Sequence, residues 1–349
     1  MKSNYEPLGK HIRLVDYRNS EEVTSTVLGI SIDKEFMPSV ANVIGTDLSR
    51  YKLISKGLFA CNPMHVGRDE RLPIALYEKD SPAIVSPAYF MFEIIDRDVL
   101  NEEYLMMWFR RPEFDRECWF MTDGSVRGGI SWDDLCRIQL PVPPYERQLD
   151  VVESYRAITR RIAMKKEIND NLEAVLAASH SKMFFSKDTS EHSKLGELMT
   201  FGNGKSRPKT DGPIPVYGGN GVLSYTDHHN IENAVLIGRV GAYCGSVYLE
   251  QGICWVSDNA IFAKSKITKD EFFDYFLLKR LNLFNHHVGT GQQLLTQEIL
   301  NNIEVPKPVT EQIELFNRKA TSIFETIFTN SREIIRLQEL SDLLLPRLA

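Results

Sequence analysis

The sequence is poor in everything that would mark a secreted, metal-bound or membrane protein. Cysteine is scarce, with Cys61, Cys118, Cys136, Cys244 and Cys254 the only five in 349 residues. The number is odd and no two form a C-x-x-C pair, so neither a disulfide framework nor zinc-type spacing is expected. Free buried thiols in a reducing cytoplasm are the simplest account. No window of about twenty residues is apolar enough to span a bilayer. The opening MKSNYEPLGK lacks the apolar core of a signal peptide, so no membrane association is expected. Basic excess is also missing: 41 Lys and Arg stand against 47 Asp and Glu, a net charge of -6. That argues against a small basic nucleic-acid module and leaves local basic patches open.

Motifs for chemistry are incomplete. GNGKS at 202–206 ends like a phosphate-cradling G-x-x-x-x-G-K-[ST] loop. Met199 occupies the place of its first glycine, and Arg207-Pro208 prevents the helix that must follow. Pro143-Pro144-Tyr145 has the tail of an amino-methyltransferase motif, with Val142 where Asn or Asp is required. Asn62-Pro63-Met64-His65 has the asparagine without the second proline and the aromatic. No glycine-rich loop for S-adenosylmethionine follows a first strand, and no G-x-S-x-G elbow supports a nucleophilic serine. The pairs His228-His229 and His286-His287 are sequence neighbours. Such rings point to opposite faces of a strand, or lie about 100° apart on a helix, and seldom share a metal. The expectation is no catalytic residue, no metal and no cofactor held by this chain.

What is present is a pair of long stripes. From Val151 a three-four spacing selects Tyr155, Ile158, Ile162, Lys165, Asn169, Leu172, Leu176, Ser179 and Met183, uninterrupted by glycine or proline. Residues 145–185 could form one helix of about 60 Å. From Ile313 the same spacing selects Phe316, Ala320, Ile323, Ile327, Asn330, Ile334, Leu337, Ser341 and Leu344, and Pro346 ends the pattern. A helix of that length cannot bury its stripe alone, so the two are expected to pair. The seam comprises Ile158, Ile162, Asn169, Leu172 and Leu176 against Ile323, Ile327, Asn330, Ile334 and Leu337. Each stripe has one asparagine near its middle, the kind of residue that fixes register at some cost in stability. In an antiparallel pair Asn169 and Asn330 should lie within about a turn of each other. The competing account is two unrelated amphipathic helices on separate cores.

An internal repeat argues against that account. Leu8-Gly9-Lys10 corresponds to Leu195-Gly196-Glu197, and EEYLMMWFR at 102–110 to DEFFDYFLL at 270–278. Gly124-Ser125 corresponds to Gly289-Thr290, and ISWDDLCRIQLP at 130–141 to LTQEILNNIEVP at 295–306. Glu146-Arg147-Gln148 corresponds to Thr310-Glu311-Gln312. In the first half VLGI, LI, IALY and YFMF (27–30, 53–54, 74–77 and 89–92) read as strands, and 102–110 as a helix opening on acidic residues. The fold class is therefore α+β: globule, helix, globule, helix. Two similar mixed α/β domains would be joined by two long antiparallel helices, a coiled-coil rod with pseudo-two-fold symmetry. Two similar heads held on a rod suit two separated sites on a regular partner such as duplex DNA.

Candidate contacts lie in loops. In the second globule Lys205, Ser206, Arg207 and Lys209 precede VYGGNG, which contains Tyr217 and Asn220. IGRVGAYCG follows with Arg239 and Tyr243. Gly-rich loops let donors and backbone amides approach phosphates and base edges. In the first globule His65, Arg68 and Arg71 share NPMHVGRDER, and Arg18 sits in a polar turn. The competing reading of each is an ordinary solvated loop or an internal salt bridge, for instance Arg68 with Asp69 or Glu70.

These residues resemble the specificity (S) subunit of Type I restriction-modification systems, over essentially the whole chain. GNGKSRPKTDGPIPVYGGNG, LIGRVGAYCGSVY and CWVSDNAIFA are similar to segments of such subunits in the second half. DYRN, NPMHVGRDE, IVSPAYFMFE and GGISWDDL resemble another recognition subtype in the first. Both halves close with a proline-proline-(x)-Gln ending and a long helix, including EINDNLE at 167–173. The resemblance implies target-recognition domains at 1–140 and 188–305, with conserved long helices at 141–187 and 306–349. It implies that the two domains read the halves of a bipartite target in double-stranded DNA, with the helices as a ruler. It further implies that two modification subunits, carrying S-adenosylmethionine and methylating adenine, dock on the helices, and that ATP-using restriction subunits join them. Arg127 matches an arginine often found after Gly-Ser in the family, and Gln292 or Gln293 takes that place in the second half. Two alternatives stand beside this one: a non-catalytic helical scaffold for protein partners, and a self-contained DNA methyltransferase or nuclease.

Overall fold

The computed structural model describes residues 5–39, 45–64, 66–122, 128–185, 191–289 and 293–345. Two compact units are present, Met1–Met164 with Ile334–Ala349, and Lys165–Glu333. The long stripes form helices Tyr145–Phe184 and Thr310–Leu344, of 40 and 35 residues. Each helix is divided between the units. The reason is packing. Val152 and Leu345 belong to the core of the first unit. Leu176, Phe184, Ile313, Phe316, Ala320 and Phe324 belong to that of the second.

In the first unit one antiparallel sheet runs in the order Ile12–Leu14, Phe90–Ile94, Phe59–Cys61, Ile74–Leu76. A second sheet runs Phe36–Pro38, Val27–Ile30, Ala83–Val85, Lys52–Ile54, with the middle pair parallel. The strands expected from sequence are present in both. Phe59–Cys61 and Ala83–Val85 were not expected, because each is a short run buried throughout and shows no alternation. Phe59 stacks on Phe92 at 5.1 Å, and Phe109 sets its edge against both at 6.0 and 6.3 Å. Phe109 ends the helix Glu102–Phe109, whose N-cap Asn101 accepts from the amides of Glu103 and Tyr104.

The second unit is built on one six-stranded sheet, in the order Met199–Asn203, Ala260–Ser265, Ile231–Gly238, Val247–Val256, Ile214–Gly218, Gly221–Thr226. Its helix Phe272–Arg280 is buried over its first seven residues.

The repeat recurs bond by bond. The amide of Leu8 donates to the carbonyl of Ile138 at 2.8 Å, and that of Leu195 to Ile303 at 2.9 Å. The short helices before those carbonyls, Trp132–Arg137 and Gln297–Asn302, are capped by Ser131 and Thr296. A β-carbon on Gly9 would meet Cys136 Cβ at 2.8 Å, and one on Gly196 would meet Asn301 Oδ1 at 2.6 Å. Glycine is needed at Gly9, where the near atom is a β-carbon, whereas at Gly196 the Asn301 amide would have to turn aside. One correspondence slips: the second head helix begins at Phe272 behind Glu271, two residues later than the alignment of 102 with 270 implies.

Each long helix also pins a head helix with a buried amide in its own unit. Gln148 Oε1 accepts from the Asn101 amide at 2.9 Å, and its Nε2 donates to the Val99 carbonyl at 2.9 Å. Asn317 Oδ1 accepts from the Phe273 amide at 2.9 Å, and its Nδ2 donates to the Asp270 carbonyl at 3.0 Å.

Within the second unit the long helices run antiparallel, pairing Lys165 with Glu333, Asn169 with Asn330 and His180 with Phe316. Asn330 Nδ2 donates to Asn169 Oδ1 at 2.9 Å. Lys165 Nζ joins them, 2.8 Å from both Asn330 Oδ1 and Glu333 Oε2. Every other seam residue, in both units, is buried or half-buried.

Candidate nucleic-acid interface

The second unit gathers its candidate residues around one cluster of turns. Strands Ile214–Gly218 and Gly221–Thr226 pair Gly218 with Gly221, leaving Gly219 and Asn220 as the turn between them. This turn packs on the segment after Gly238: a β-carbon on Gly238 would stand 2.7 Å from the Gly219 carbonyl and 2.2 Å from that of Tyr243. Residues 257–259 complete the cluster. The Ser257 amide donates to the Tyr217 carbonyl at 2.8 Å, and the Asn259 carbonyl accepts from the Arg239 amide at 3.0 Å. Lys205 bridges to Ser257 as an isolated β pair, and its carbonyl accepts from the Trp255 indole at 3.3 Å.

The side chains fall into three groups. Lys205, Ser206, Arg207 and Lys209 are exposed. Among the described residues none of the three cations has a carboxylate partner. Asn220 and Tyr243 are exposed as well, Tyr243 by 50%. Tyr217 is different: its hydroxyl donates to Glu250 Oε2 at 2.9 Å, and its ring packs on Tyr248. Burial and the Glu250 charge push its pKa well up, so this phenol acts inside the sheet and is not presented as a contact. Arg239 is half-buried, and its Nε lacks a hydrogen-bond partner among the described residues. The same is true of the Ser257 hydroxyl, on a residue only 2% exposed. Ser257 and Trp255 belong to a segment to which the sequence reading assigned no role. That segment, CWVSDNAIFA, carried the family resemblance without a candidate contact.

In the first unit each described candidate is engaged by the chain itself. Arg18 donates to the Arg50 carbonyl at 2.7 Å and to Asp16 at 2.8 Å. Arg68 holds Asp69 with two bonds of 2.7 and 2.8 Å, the internal salt bridge that competed with a DNA role. Arg71 reaches Asp33 at 3.4 Å. His65, Arg127 and Gln292 lie outside the described residues.

No group of three His, Cys, Asp or Glu that could hold a metal is found among the described residues. His228 instead pairs with Asp227 at 2.5 Å, beside Thr210. No helix there is long and apolar enough to cross a membrane.

Residues 187–343 match the family model described as the Type I restriction modification DNA specificity domain. That span takes in the turn cluster and most of the second long helix. Residues 187–343 therefore carry a Type I restriction modification DNA specificity domain. The chain is similar to the specificity subunit of the Type I restriction enzyme HindI of Haemophilus influenzae, with 45% identity over 60 residues. That match covers 17% of this chain and only 13% of the relative. It is also similar to a putative Type I restriction enzyme MjaX specificity subunit of Methanocaldococcus jannaschii, at 20% identity over 95% of this chain and 84% of the relative. Among solved structures, the S subunit of a Type I restriction-modification system from M. genitalium superposes with a TM-score of 0.61 at 15% identity. The superposition covers 99% of this chain and 96% of that one, so the specificity fold extends over both units.

Proposed function

We propose that the chain is the sequence-reading subunit of a Type I restriction-modification complex and has no catalysis of its own. Each compact unit reads one half of a bipartite, asymmetric target in double-stranded DNA. The observation that carries this reading is the turn cluster of the second unit. It displays cations that have no carboxylate partner among the described residues, beside an asparagine and a tyrosine, within the span that matches the DNA specificity domain. S-adenosylmethionine belongs to two modification subunits and ATP to restriction subunits, all acting with this chain in the cytoplasm. Modification subunits dock on the outer faces of the long helices. Ile168 and Val175 are seven residues apart on one face and exposed by 45% and 59%, and Leu340 and Leu343 by 46% and 61%. The net charge of -6 fits this division, since partner subunits can supply phosphate-neutralising charge.

The test is adenine-methylation mapping of DNA from cells expressing this chain with its neighbouring modification subunit. Two short specific blocks separated by a fixed gap are expected. Methyl transfer by the purified chain alone would contradict the reading. Duplex-insensitive binding of protein partners would favour a scaffold instead.

A further inference from the structure

Residues 205–210 form a strap held at both ends. At one end Lys205 bridges to Ser257 and its carbonyl is held by Trp255. At the other, Thr210 Oγ1 lies 2.9 Å from Thr226 Oγ1 and 2.5 Å from Asp227 Oδ1. Between these anchors Ser206, Arg207 and Lys209 are exposed, and Pro208 stiffens the run. Such a strap presents Lys205, Arg207 and Lys209 without the ordering cost that a free loop would incur on binding. Elsewhere in the chain exposed guanidiniums are commonly tied to carboxylates, as Arg13 is to Glu93, Arg68 to Asp69 and Arg137 to Asp134. Among the described residues the strap cations are not. The strap's first anchor also includes a buried hydroxyl without a partner among the described residues, that of Ser257. Buried donors are normally satisfied, and one left over beside three cations with no carboxylate partner among the described residues suits an anion.

The Gly219-Asn220 turn differs in kind. It carries no charge, and its tip presents an amide side chain with two donors and one acceptor group, the chemistry that reads an adenine edge with two hydrogen bonds. Tyr243, on the segment packed against that turn, adds an exposed hydroxyl.

We infer that the second unit divides recognition between these neighbouring segments: the strap grips DNA phosphates whatever the sequence, and Asn220 with Tyr243 reads base edges. The inference rests on the DNA-reading function proposed above and assigns roles within it.

The experiment measures affinity of the full chain for two duplexes over a range of salt. One duplex carries the target found by methylation mapping, and the other has random sequence. Replacing Lys205, Arg207 and Lys209 together by alanine should weaken both duplexes by the same factor. It should also flatten the salt slope by about 0.9 for each phosphate that the strap no longer neutralises. Arg207→Lys, which keeps the charge, should keep the slope. Asn220→Ala should weaken the target duplex about ten- to a hundredfold and leave the random duplex and the slope unchanged. All four side chains are exposed, and an unchanged circular-dichroism melt confirms that each variant is folded. A strap variant that loses only the target duplex, or keeps its full salt slope, overturns the division of labour. So does an Asn220→Ala variant that loses both duplexes equally. If the unmodified chain binds neither duplex in a salt-dependent way, the DNA-reading function itself fails.

Discussion

At the scale of single residues, the core of the second unit holds two ionisable groups that oppose each other. His180 is 1% exposed and packed among Phe184, Phe273 and Phe316, with Nε2 lacking a partner among the described residues. Burial, helped by the charge of Arg280, lowers its pKa to about 3. Asp274 is equally buried, and burial with the nearby Glu271 pushes its pKa up to about 7. The Ser265 hydroxyl alongside offsets this in part without reaching hydrogen-bond geometry. The signs differ. Between about pH 3 and 6.5 the folded chain binds fewer protons at His180 than the unfolded chain, so His180 makes stability fall as pH falls. Between about pH 4 and 7 the folded chain binds more protons at Asp274, so Asp274 makes stability fall as pH rises. Over the shared window the two slopes cancel. Asp274→Asn should therefore gain stability over the parent at neutral pH, at most on the order of 4 kcal/mol, with the gain vanishing near pH 4. His180→Phe should show the reverse trend relative to the parent, whatever its packing offset. Urea unfolding across the window reads both, and parallel pH curves for parent and variants would refute the opposition. Neither residue was identifiable beforehand, because burial of a lone His or Asp depends on which helices close over it.

At the scale of elements, the helix seam shows what periodicity can and cannot reveal. The stripe positions, Lys165 included, follow from the three-four spacing, and the meeting of Asn169 with Asn330 follows from their mid-stripe places. Glu333, which completes the charge of Lys165, and Ser331, 3.3 Å from Asn169 Nδ2, lie off the stripe and carried no signal. This polar group is connected, so removing one member strands the others. Asn330→Leu leaves Lys165 Nζ and Asn169 Oδ1 each one partner short, and should cost about 2–3 kcal/mol. Replacing Lys165 by Met and both asparagines by Leu should recover most of that loss, since an apolar seam of similar volume needs no partners. What the triple variant should lose is a single register, seen as a second set of resonances or a second cross-linking pattern between the helices. Full stability together with one register would show that the asparagines do not set it.

At the scale of the whole molecule, the fold was legible because the repeat punctuates both halves with similar closures, and the family resemblance because segments such as GNGKSRPKTDGPIPVYGGNG stand beside that repeat. Each globule opens and closes on a short antiparallel pair, Tyr5–Pro7 with Gln139–Pro141 and His192–Lys194 with Glu304–Pro306. Those closures are local in sequence pattern. The proposed contacts to a partner are not, because Lys205, Asn220, Arg239 and Ser257 meet only through a sheet whose strand order departs from chain order. Sequence could nominate the loops, and only the fold could group them, withdraw Tyr217 and tie up Arg68. The closures also make each globule an insert whose two ends are held together, which a graft exploits. Exchanging residues 195–303 for the matching segment of a family member with a different target should change one block of the methylated motif. The other block should stay as it was, because the first unit keeps its own sheets, its own core and its own pinned head helix. If both blocks change, or methylation persists unaltered, the two units do not read independently, and the bipartite reading must be abandoned.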